Sequence, residues 1–247
     1  MKHRYFIVAF ATLVVALLAM MQSVSCCAAE TAAGLSAEKF KKSAVVKAFR
    51  GYMKDKNYAK AKAEIDNAVA TYEVANKDAE LYKYKMAALD ELIGAENNKI
   101  YLQSNPDTTS FFNYIYELYL TGLKCDSLEQ RYVAARHAEH KKAEPKLRRG
   151  VGQTMLPYRR NMLNAGKFYY KKRDYANAFK FLDMYAQTKS TDVFIDAKGN
   201  SIIDDPDDVS SVSVLAVLSA YCSNNYSGVM SYLPESLKDE EFVPQML

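Results

Sequence analysis

GKFYYKKRDYANAFKFLDMYA, residues 166–186, sets seven aromatic rings among lysines and small side chains. Two helical patterns meet in it at the polar turn Lys172-Arg173-Asp174. Asp174 suits a helix N-cap, since a short side-chain oxygen there accepts from the first free backbone N–H groups. Gly166 and Ala178 are small enough to let two helix backbones approach. Tyr169, Tyr175, Phe179 and Leu182 then read as packing between the paired helices. Tyr170, beside Lys167 and Lys171, is the ring left to face a partner.

The same layout recurs when Tyr175 is aligned with Tyr58 and Tyr226. GYMKDKNYAKAKAEI (51–65), FYYKKRDYANAFKFL (168–182) and SAYCSNNYSGVMSYL (219–233) each carry a polar turn ending in Asn or Asp. A Tyr, a small residue, and Ala or Val three positions after the Tyr follow in each. Asn57, Asp174 and Asn225 are the expected caps, and each Tyr is expected to plug the gap between its helices.

These residues resemble the tetratricopeptide repeat, whose pattern is Trp-x2-Leu-Gly-x2-Tyr in one helix and Ala-x3-Phe in the next. Gly166, Tyr169 and Ala178 match it; Met162, Ala165 and Leu182 replace the Trp, Leu and Phe with other apolar residues. The first copy keeps Tyr52 and Ala61, with Phe49 at the Gly position. The last copy is weaker, with Ala220 for the Tyr and Val229 for the Ala. The chain also resembles exported repeat proteins of Bacteroidales-type bacteria, through KCDSLEQRY and YRRNMLNAGKFYYKKRDYANAFKFLDMY. The resemblance implies an all-α fold of antiparallel helix-hairpin repeats, stacked as a right-handed α-α solenoid over residues 36–247. It implies an architecture and a compartment, not an activity.

The rest of the chain agrees with helix. Nine Gly and six Pro in 247 residues are few for a turn-rich sheet protein. Apolar spacing predicts helices over 37–54, 58–75, 78–93, 95–104, 109–123 and 126–143, the last opened by Asp126 or Ser127. Pro145, Gly150 and Gly152 mark 144–153 as an exposed link. Helices resume over 155–172, 175–188, 209–222 and 226–236, giving about five hairpins. Residues 191–209 read as a small hairpin or ordered loop around Gly199-Asn200.

The N-terminus is ordered as an export signal is. Lys2, His3 and Arg4 precede the apolar run YFIVAFATLVVALLAMM (5–21), and SVSCCAAE follows. Residues 1–29 are the expected signal peptide, cleaved after Ala28 or Ala29; lipid attachment at Cys26 and retention of the apolar run as a membrane anchor are the alternatives, and the only expected contacts with a membrane are through these. Cys125 and Cys222 remain, in different repeat units, and are expected as free, partly buried thiols. At the other end, EEFVPQML (240–247) starts a further apolar helix with no capping unit. This points to the front part of a longer protein or to an end that docks on something.

Charge is unevenly spread. Residues 136–173 hold twelve Lys or Arg against two Glu, whereas 183–247 hold eleven Asp or Glu against three Lys. Such a basic cluster can signal nucleic acid, but export argues against it. A membrane surface, an anionic glycan or the acidic end of a second copy are the alternatives.

Motif chemistry is sparse. His137 and His140, three apart, share a predicted helix face with Glu144 one turn on, but lysines and arginines surround them and oppose a cation. DAKGNSIIDDPDD lacks the oxygen ligands of a calcium loop, with Lys198 placed among them. There is no phosphate loop, nucleophile elbow or Cys-x2-Cys pair, so no enzyme, cofactor or metal is expected. Arg160, Leu163, Lys167, Tyr170 and Lys171 recur at three- and four-residue steps on one helix face. The family resemblance implies that this face lines the concave side. Ser43, Val46, Arg50, Met53 and Lys54 are its counterpart in the first copy, and Ser211, Val214, Leu218, Tyr221 and Cys222 in the last. The expectation is a non-enzymatic envelope scaffold that binds an acidic or C-terminal peptide segment through Arg50, Lys54, Arg160, Lys167, Tyr170 and Lys171. The alternative is a lipid-anchored glycan- or nutrient-binding lipoprotein on the same repeats.

Overall fold

The computed structural model describes residues 39–196, 198–204 and 209–239. The signal stretch, Cys26 and residues 240–247 lie outside them. The described residues are all-helical, and the extended pairing among them is one isolated antiparallel bridge, Ile195 to Ser201, in the expected ordered loop. We label the helices α1 (Lys42–Lys54), α2 (Tyr58–Thr71), α3 (Ala79–Tyr101), α4 (Thr108–Ala138), α5 (Arg148–Met155), α6 (Arg159–Lys171), α7 (Tyr175–Gln187), α8 (Val209–Cys222) and α9 (Tyr226–Ser236). Single helical turns lie at Glu73–Asn76 and Leu156–Tyr158. Packing follows chain order: α1 on α2, α2 on α3, α3 on α4, then α6, α7, α8 and α9 each on the next.

The three aligned segments share one turn. Lys56, Arg173 and Asn224 each adopt a left-handed backbone, with φ of 56°, 60° and 59°. The next residue, Asn57, Asp174 or Asn225, accepts from the backbone N–H three positions on. The expected caps are therefore in place. Tyr58 and Tyr175 are half-buried, but Tyr226 is 63% exposed and plugs nothing. It stands on α9, the last helix among the described residues.

Three expected breaks are corrected. Residues 78–93 and 95–104 form the single helix α3: its buried face ends at Ile93, but the helix runs through Gly94 to Tyr101, with Glu96 accepting from the backbone N–H of Asp107 just before α4. Likewise 109–123 and 126–143 are one 31-residue helix, α4. Its buried positions Ile115, Leu118, Gly122, Cys125, Glu129 and Val133 continue at steps of three and four. Asp126 does not cap a helix; it pairs with Arg148. The two expected middle hairpins are thus one hairpin, α3/α4, and the described residues make four helix pairs with α5 inserted between the second and third. Residues 144–153 are not wholly an exposed link, since α5 occupies 148–155 with Val151, Gly152 and Met155 buried. Among the described residues the first helix begins at Lys42, with residues 39–41 outside it; residues 37 and 38 of the expected helix lie outside the described residues.

The rings of 166–186 form the core between α4, α6 and α7. Tyr169 stacks on Phe181 at 5.4 Å and 10° between planes. Phe112 and Tyr116 of α4 meet Phe181 edge-on. A Cβ on Gly166 would stand 2.6 Å from Leu182 Cγ, so glycine is what admits α7. Ala178 and Leu182 are fully buried. Phe179 points onward and meets Tyr232 of α9 at 6.1 Å, linking successive pairs.

Charges also cross the stack. Lys62 bridges Asp66 and Glu117, and Lys85 bridges the same two carboxylates, tying α2, α3 and α4. Burial pushes the Asp66 carboxyl up, but hydrogen bonds from Lys62 and Lys85 outweigh it and hold the group below its ordinary 3.8. A depressed carboxylate contributes stability above its unfolded pKa and loses it as pH falls through the folded value. Melting temperature is accordingly expected to decline as pH drops below ~4. Asp66→Asn should lower the neutral-pH melting point and flatten that decline. Parallel melting curves against pH for the two proteins would refute the linkage.

Candidate functional site

The expected inner face is brought partly into a groove. Ser43, Val46, Lys47 and Arg50 of α1 face Tyr84 of α3 across a cavity of about 560 Å³, with Lys42 at its end. Arg50 reaches the Tyr84 hydroxyl at 3.4 Å, and Tyr84 packs its ring on buried Phe49 at 5.2 Å. Lys42 is committed to Asp78 and Glu80. Lys47 and Arg50 have no carboxylate partner among the described residues. An apolar floor at Val46 with two uncompensated cations suits a segment carrying both apolar and acidic side chains.

The other expected contacts lie elsewhere. Lys54 closes α1, where a cation favours the helix dipole, and does not line the groove. Arg160, Lys167, Tyr170 and Lys171 stand on α6 and line no part of the α1/α3 groove. Arg160 and Lys171 are exposed, Lys167 half-exposed, and Arg160 and Lys167 each already have an interaction partner. Leu163 is fully buried and leaves that face altogether. Tyr170 sits edge-on to Tyr175 at 5.6 Å. Burial pushes the Tyr170 hydroxyl up, aided by Tyr175 and by Cys222 of α8. It is half-buried against Tyr175 of α7 rather than an open ring.

The candidate reactive groups are similarly placed. His140 falls beyond the end of α4 in a left-handed conformation, φ 56°, so it does not share a helix face with His137. His137 Nε2 lies 2.8 Å from the Ala143 carbonyl oxygen and holds the loop that follows. The described residues contain no group of three or more potential metal ligands. Asp196 accepts from the backbone N–H groups of Lys198 and Asn200, forming a local turn. Cys125 is buried and its thiol is pushed up to about 12, chiefly by burial and then by Glu129 and Asp126. It is inert as a nucleophile at neutral pH. Cys222 is a free thiol but exposed, contrary to the expectation of partial burial.

A cavity of about 770 Å³ lies between α5 and the loop around Asp192–Ile202, at a place the sequence presents as link and loop. Its frame depends on Glu129, buried in α4, whose carboxylate accepts from the backbone N–H groups of Lys146, Leu147 and Arg148. A lone carboxylate at a core position between Cys125 and Val133 is the sequence signal that marks it. Gly152 completes the frame: a Cβ there would lie 2.0 Å from the Val193 carbonyl oxygen.

No helix of the described residues is long and apolar enough to cross a membrane. Comparison of the chain with protein-family models, curated proteins and solved structures gave no match.

Proposed function

We propose that this chain is a non-enzymatic scaffold of the bacterial cell envelope, a tetratricopeptide-like right-handed solenoid that binds an acidic segment of another envelope protein on its inner face. Chain-order packing of four helix pairs and the thrice-repeated turn support the solenoid reading. In such stacks each pair buries its apolar face on its neighbours and leaves an extended surface for partners. The export-like order of residues 1–29 supports the compartment.

The observation that carries the binding role is the α1/α3 groove. Val46 and Tyr84 offer apolar contact, while Lys47 and Arg50 supply the charge that selects an acidic segment. Arg160, Lys167 and Lys171 of α6 add a second basic stretch that such a segment meets further along. Lys47→Glu with Arg50→Glu should weaken binding of a fluorescent Glu/Leu-alternating decapeptide about tenfold or more, since each lost charge contact becomes a repulsion. Fluorescence anisotropy at two salt concentrations reads this. Unchanged affinity, or affinity indifferent to salt, would sink the role assigned to the groove.

A further inference from the structure

A second site, independent of the α1/α3 groove, is formed by α5 and the 192–202 loop. We propose that its cavity binds a small amphiphile with an apolar body and one anionic head. The volume of about 770 Å³ falls in the range of small-molecule sites, ~300–1,000 Å³. Pro145, Val193, Ile195 and Ile202 supply apolar walls. Ile195 is 37% exposed, an uncovered apolar side chain at the cavity.

The charge of the occupant follows from which lining groups are already committed. Arg148 is held two-pronged by Asp126, at 2.7 and 3.1 Å, and by Asp192 at 3.2 Å. The Asp196 carboxylate takes the backbone N–H groups of Asn200 and Lys198 and is held below its ordinary value by them. The backbone N–H groups around the start of α5 are occupied by Glu129, so the helix end is not the anion site. Arg149 and Lys198 remain. Both line the cavity, both are exposed, and neither has a carboxylate partner among the described residues. The lining carries three cations, Arg148, Arg149 and Lys198, against two carboxylates, Asp192 and Asp196, so with its apolar walls it is net positive, complements an anionic amphiphile and disfavours a cationic one. The backbone approach of Gly152 to Val193 fixes the rear wall, so the site is pre-formed.

Isothermal titration of the intact chain with decanoate and with decanol, the equal-length neutral probe, tests this. Decanoate should bind saturably at one site, and decanol about tenfold more weakly, the ratio expected when charged contacts contribute ~1.4 kcal/mol. Arg149→Gln with Lys198→Gln should erase that preference and leave decanol binding unchanged. Ile202→Trp, checked for helicity by circular dichroism, should fill the cavity and weaken both probes. Equal affinity for decanoate and decanol in the unaltered chain would overturn the anionic part. Failure of decanoate to saturate, or its undiminished binding to both variants, would overturn the site.

Discussion

Glu129→Ala should release the segment 139–147 and unfold α5. The carboxylate is 7% exposed and accepts from three consecutive backbone donors, at 2.7 to 3.1 Å. Its removal leaves those N–H groups without acceptors in a partly buried place, costing about 3 kcal/mol in all. Glu129→Gln keeps one accepting oxygen and should lose less. The readout is hydrogen exchange at the amides of Lys146, Leu147 and Arg148, which should lose protection while those of α6 and α7 keep theirs. Decanoate binding should vanish with the frame of its cavity. Unchanged protection at the three amides would show that Glu129 does not organise this region.

Phe181→Ala should destabilise the whole stack. Phe181 is fully buried and touches rings from α4 and α6 as well as its own helix, so no neighbour can fill the space it leaves. Truncation of such a ring costs about 3–5 kcal/mol. For a chain of this size that lowers the melting temperature by ~10 °C. Lys172→Ala, which removes only a cation 4.3 Å above the Phe168 ring at an exposed position, should change stability by less than ~0.5 kcal/mol. A Phe181 variant that melts within a degree or two of the unaltered protein would mean the rings of 166–186 are not the core. Thermal melts by circular dichroism decide it.

What the residues reveal by themselves depends on how local the cause is. Asn57, Asp174 and Asn225 announce their turns because cap, left-handed residue and following helix lie within five positions. The helix pairs built on those turns were legible for the same reason. Gly94 and Cys125-Asp126 looked like breaks because a helix-weakening residue is visible locally. The buried face that carries α4 through Cys125-Asp126 is a property of the whole helix. A single interior Gly costs only ~1 kcal/mol, and α3 runs through Gly94 although its buried face ends at Ile93. Pro145, Gly150 and Gly152 read as a link because the acceptor that orders the segment, Glu129, lies a separate helix away. Gly152 serves close approach to Val193, a partner about forty positions on.

The predicted contact face was half legible for a related reason. A stripe at three- and four-residue steps identifies residues that share a face, and Ser43, Val46 and Arg50 do line one groove. It does not say which neighbour covers that face. Leu163 is buried where the stripe placed it outward, and Tyr170 is drawn against Tyr175. Tyr84, which closes the α1/α3 groove, belongs to another helix, and no pattern within α1 could have named it.

The most direct measurement is site-specific photo-crosslinking in the native envelope, with the reactive side chain placed at Ser43 in the groove. The expected result is a discrete adduct with an envelope protein, attached through an acidic segment of that partner and abolished when Lys47 and Arg50 are both changed to Glu. An adduct that survives the charge reversal, or none at all from Ser43, would contradict the account.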